Sequence, residues 1–184
     1  MRSSLLALAL FTSICSVAMR IGDSTQAVTV SAFRPLPHAV NNEVPASCPV
    51  TKPPTHPFVP PSPYPQGTGP GGFWIGTNKL WIGLLQDGTW EKLPQWPDGT
   101  YRQKLFWWHE GYSARRDPRP KLMVTGKRLD SSAPPIQSEA SNGWTNDADH
   151  PFMVNGINLP SLGCWRISGR FEDAELSFVV WVTR

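Results

Sequence analysis

Hydrophobic and polar positions in this chain repeat every two residues, most clearly in its last two apolar runs. From Gly163 to Phe171, Trp165, Ile167 and Phe171 fall on one side and Cys164, Arg166, Ser168 and Arg170 on the other. This is the alternation of a half-buried strand. From Glu175 to Thr183, Leu176, Phe178, Val180 and Val182 share a face, yet Val179 and Trp181 on the opposite face are apolar too. That strand is expected to be covered on both sides. Further runs rich in β-branched and aromatic residues occupy Lys79 to Gln86, Thr89 to Leu93, Arg102 to Trp108, Lys121 to Leu129 and Pro151 to Ile157, bounded by Gly, Pro, Asn and Asp. No period near 3.6 persists, so the pattern over 73–184 predicts an all-β sandwich of about seven antiparallel strands. Asp87-Gly88 stands between two runs and predicts a type I′ hairpin with Leu85 opposite Trp90.

Upstream the pattern breaks. Twelve prolines fall between Ser31 and Gly72, and proline donates no backbone N–H and fixes φ, which excludes helix and central strand. Residues 48–72 read as an extended proline-rich arm, its apolar Phe58, Val59 and Tyr64 laid against the domain and its glycines at the end flexible. Residues 28–47 read as a flexible leader.

Residues 1–27 read as a secretory signal peptide. Arg2 supplies the positive start, and an apolar run from Leu5 reaches Met19, too short for a membrane span. Ser16-Val17-Ala18 and Thr25-Gln26-Ala27 both offer the small residues that signal peptidase requires, so cleavage is expected after residue 18 or 27. Lipid attachment at Cys15 is the rival route, but Ile14 before it is not small. Without Cys15, Cys48 and Cys164 remain and are expected to pair in an oxidising compartment. Such a bridge closes a loop worth on the order of 4 kcal/mol in the chain-entropy model.

A resemblance emerges at the C-terminus. Gly-Cys-Trp-Arg-Ile-Ser-Gly-Arg-Phe followed by Ala-Glu-Leu-Ser-Phe-Val-Val-Trp-Val is similar to the closing hairpin of a group of uncharacterised exported bacterial proteins, and Cys48-Pro49-Val50-Thr51 and the stretch Lys121 to Pro135 are similar to the same group. The hairpin also resembles the last two strands of immunoglobulin-like periplasmic modules. The resemblance implies an immunoglobulin-like fold and no functional residues. The chain departs from true immunoglobulin domains in the wide separation of Cys48 and Cys164 and in having no tryptophan midway between them in the usual pattern.

Charge narrows the function classes. The chain carries 17 basic and 14 acidic residues, and Arg115, Arg116, Arg119 and Lys121 are interrupted by Asp117 and two prolines. They read as a solvated loop, not as a nucleic-acid track. No G-x-S-x-G, H-E-x-x-H, phosphate-cradling glycine loop or C-x-x-C is present, so no catalytic residue and no cofactor is expected. His109 and Glu110 suit acid–base work but, as neighbours on a strand, point to opposite faces. Asp147, Asp149 and His150 could ligate a cation, though the full calcium-loop spacing is missing. The chain holds nine tryptophans. Those in strand-like runs are expected in the core, whereas Trp96 and Trp144 lie in loops and, with Tyr112, are candidates for stacking on a sugar or a peptide. The sequence thus points first to an exported structural or interaction module with an unknown protein or glycan partner, next to a carbohydrate- or peptide-binding module, and last to a hydrolase. Mass spectrometry of the mature chain is expected to find a first residue at Met19 or Val28; a chain still starting at Met1 would contradict export.

Overall fold

Trp107 and Trp165, both without solvent exposure, face each other's sheets across the core of a two-layer β structure. The computed structural model of the chain describes residues 43–184 except 137, 139, 140 and 146–149. The segment expected to be a signal peptide, with Cys15, and the expected leader up to residue 42 lie outside the described residues. Among those described there is no helix, and the strands are β1 (Gly72–Thr77), β2 (Leu80–Leu85), β3 (Thr89–Trp90), β4 (Tyr101–Trp108), β5 (Met123–Arg128), β6 (Asn142–Trp144), β7 (Phe152–Leu159), β8 (Gly163–Phe171) and β9 (Ala174–Val182). They form a five-stranded sheet, β1-β2-β4-β7-β6, and a four-stranded sheet, β3-β9-β8-β5.

Each expected run contains a strand, and β1 and β6 are additions to them. The expected Asp87-Gly88 hairpin does not form. Gly88, at φ 68°, donates its N–H to Leu85 O at 3.1 Å, and the chain leaves the five-stranded sheet for the other, where β3 runs parallel to β9. Burial explains the difference. A two-residue hairpin would set Trp90 beside Leu85 on an outer face; instead Leu85 stays exposed and Trp90 is buried against Phe178, ring centroids 6.2 Å apart. The β3–β9 pair is also the exception to the antiparallel pairing expected throughout.

The alternation read from β8 and β9 holds. Trp165, Ile167, Phe171, Phe178, Val180 and Val182 all enter the core. On the other face of β9, Val179 and Trp181 pack with Cys48, Val44 and Val50, where Cys48 and Cys164 are joined in a disulfide. The outward edge of β9 is closed as well from Val179 to Thr183. Val179 N–H donates to Thr51 Oγ1 at 2.8 Å, while Thr51 N–H, Trp181 N–H and Thr183 N–H donate to the carbonyls of Val179, Gly88 and Trp90. A strand edge left with unpaired N–H groups invites pairing with another chain, and these partners remove the invitation.

At Gly169 on β8 the side chain of Trp107 from the facing sheet lies against bare backbone. A β-carbon there would lie 2.6 Å from Cζ3 and 2.9 Å from Cζ2 of Trp107, so the indole occupies the space that a side chain would need. Overpacking a core typically costs 1–3 kcal/mol. Gly169→Ala is therefore expected to lower unfolding free energy by about 2 kcal/mol in denaturant titration, and an unchanged midpoint would show that the sheets can separate freely.

Candidate functional site

The inward position of Trp107 turns Phe106 and Trp108 out, and the outer face of the five-stranded sheet becomes aromatic. Trp144 on β6 stands opposite Phe152 on β7. Phe152 meets Trp108 on β4 with ring centroids 5.6 Å apart, and Trp108 stands opposite Trp81 on β2. One row of rings thus crosses four strands. Phe106 packs edge-on against Phe152 at 5.6 Å, and Trp74 packs edge-on against Trp108 at 4.9 Å. Edge-to-face pairs of this kind hold each ring in a fixed orientation.

Only part of this face is open. Phe58 and Tyr64 lie on Trp81 at 5.7 and 5.0 Å, and the Tyr64 hydroxyl donates to His109 O while accepting from Gly111 N–H. Burial above all, with a smaller contribution from Glu110, raises the Tyr64 phenol above its ordinary pKa; the Gly111 hydrogen bond acts the other way. Phe106 and Trp144 remain 42% and 59% exposed.

Beside the row the sheet splits. β2 and β4 pair only at Trp81–Trp108 and Ile82–Trp107, because β2 must depart toward β3. A groove of about 510 Å³ opens between them, lined by Trp74, Trp90, Leu85, Phe106, Gln103 and Lys104 among others. Arg102 N–H points away from β7, to Pro94 O, so by alternation the backbone groups of Lys104 and Phe106 also face the gap. Lys104 N–H donates to the Gln103 side chain at 3.2 Å, in place of a strand partner. Thr68 Oγ1 and Trp74 Nε1, both on residues of this groove, are buried without a hydrogen-bond partner among the described residues. The groove therefore combines ring faces with unused polar groups.

The sequence candidates disperse. Trp144 is on a strand, not in a loop, and belongs to the aromatic row. The expected loop around Trp144 is instead the strand β6 because its neighbours hold it: Gly143 N–H donates to Pro118 O at 2.9 Å, and Ser141 Oγ bonds Leu122 O and Asn155 Nδ2. Trp96 lies in the turn before β4, with the Arg102 guanidinium over its ring at 4.9 Å, away from the row. Tyr112 is buried and offers no stacking face. Its hydroxyl donates to Asp117 O at 2.7 Å, next to the carbonyl that binds Gly143, so it supports the strand that presents Trp144. His150 stands 6.0 Å from Tyr64, ring to ring, while Asp147 and Asp149 lie outside the described residues. Among the described residues no group of three His, Cys, Asp or Glu is placed to hold a metal. His109 and Glu110 diverge: His109 faces Glu172 at 3.8 Å and Phe171, and Glu110 accepts from Asn78 Nδ2 at 3.0 Å. Phe106, Trp108 and Phe152 were the site residues that sequence reasoning missed. Their signal was the outward phase of β4 and β7, available once Trp107 is placed inward.

No family model matches the chain, and no curated protein or solved structure matches it. No described helix is long and apolar enough to cross a membrane. The class of protein that these observations define is a two-sheet β sandwich with one disulfide and an aromatic outer face.

Burial, and secondarily the Asp117 charge, push the Tyr112 phenol up to about 12. A folded-state pKa above the unfolded value of 10 means that the unfolded chain loses its proton first as pH rises. The contribution is complete below about pH 10 and is lost between pH 10 and about 12. Melting temperature is accordingly expected to fall across that window in the native chain and to fall less in Tyr112→Phe. Equal slopes in the two proteins would remove Tyr112 as the cause.

Proposed function

We propose that the chain is an exported, non-catalytic binding module of the cell envelope or secreted fraction, an immunoglobulin-like sandwich that takes carbohydrate on the outer face of its five-stranded sheet. The row of Trp144, Phe152 and Trp108 carries this reading. Trp144 presents an exposed ring, and Phe152 and Trp108 are held against each other. Such flat rings stack on the apolar faces of sugar rings, while the adjoining groove offers Gln103 and Lys104 to sugar hydroxyls. The disulfide supports export, since such bridges persist in oxidising compartments. The separation of His109 from Glu110 speaks for binding over hydrolysis, because an acid and a base must converge on one reacting bond. The exported group that the closing hairpin resembles is in line with export and implies no ligand.

Titration with neutral oligosaccharides of glucose and of N-acetylglucosamine is expected to quench tryptophan fluorescence. Trp144→Ala should weaken that binding roughly tenfold, the scale of one lost stacking contact with its buried area. Quenching by extended peptides but by no sugar would reassign the face to peptide recognition at the open edge of β4. Absence of quenching by either would refute a binding face there.

A further inference from the structure

The opposite side of the sandwich, the outer face of the four-stranded sheet, has a different chemistry. Its rows read Lys127–Arg166–Val179, Thr125–Ser168–Ser177 and Met123–Arg170–Glu175 across β5, β8 and β9. Lys127 and Arg166 stand directly opposite each other, an arrangement that costs a sheet stability when no anion intervenes. Beyond Arg170 the face continues into a groove of about 990 Å³ lined in part by Arg119, Lys121, Met123 and Arg170. All five cations are exposed, and none has a side-chain hydrogen bond or salt bridge among the described residues. The nearby acids leave them free. Glu172 also lines the groove but turns toward His109, and Glu175, in register with Arg170, makes no ion pair with it among the described residues.

We infer that this face binds an acidic polysaccharide, independently of the aromatic face. Arg166 and Arg170 are four residues apart on one strand, roughly 13 Å, and between them lie the hydroxyls of Thr125, Ser168 and Ser177, the last two 2.7 Å apart. Anionic groups at intervals along a polyol match that order of cation, hydroxyls and cation. A lipid surface fits it less well, because membrane-binding faces combine cations with several large apolar anchors, and Met123 is the one large exposed apolar side chain in these three rows.

The full chain passed over immobilised polygalacturonate, with neutral dextran and phosphatidylglycerol vesicles as separate arms, tests this. Binding to polygalacturonate is expected and should weaken at least tenfold from about 50 to about 200 mM salt, as exposed charge contacts are screened. The double variants Lys127→Ser/Arg166→Ser and Lys121→Ser/Arg170→Ser should each bind about tenfold less tightly. Single Lys127→Ser should keep or raise the melting temperature, because it removes a like-charge pair. No binding to polygalacturonate, equal binding to dextran, tighter binding to vesicles, or indifference to both double variants would overturn the inference. So would a lower melting temperature for Lys127→Ser, which would make the pair structural.

Discussion

The contact of the Trp107 ring with the bare backbone of Gly169 sets the phase of both sheets. Side chains on a strand alternate, so placing one residue inward decides the direction of every other residue on that strand, and a slip by one would invert them all. With Trp107 inward, Phe106 and Trp108 must face out; with Gly169 inward, Ser168 and Arg170 must face out. One close approach between layers therefore yields an aromatic surface on one side and a cationic, hydroxylated surface on the other. Neither surface can change sides without emptying the core of an indole that is wholly buried.

The residues before the first strand act on both surfaces. Near Cys48 they cover Val179 and Trp181 and close the edge of β9 through Thr51. At Phe58 and Tyr64 they cover Trp81, with Trp108 packed half-buried beside them, and leave Phe106 and Trp144 exposed. A segment poor in N–H donors suits this position, because it needs few partners for its own backbone while its apolar side chains and ring edges pack. The same economy explains why a chain with one disulfide can keep a strand apolar on both faces: the second cover comes from the chain itself.

The two-residue alternation was legible at once, and with it the strand content, the inward set of β8 and β9 and the need for a second cover over Val179 and Trp181. The pairing of Cys48 with Cys164 was legible from cysteine arithmetic. What could not be read was partnership. Asp87-Gly88 has the local chemistry of a hairpin, but the gain from burying Trp90 against Phe178 outweighs it and sends the chain to the other sheet. Asn-Gly-Trp has the local chemistry of a turn, but Pro118, Ser141 and Asn155 hold it as the strand that carries Trp144. Tyr112 was a candidate ring and proved to be a support, since burial depends on what the 112–118 loop docks against.

The sequence by itself determined which residues alternate, which segment could join no central strand and which two thiols could meet, because these follow from side-chain period, proline's missing donor and the count of cysteines. Only the tertiary structure decided which strands are neighbours, and so which rings share a row and which cations share a face. Those relations join residues far apart in the chain, and the free energy that selects among them is burial summed over two layers, which no local pattern encodes.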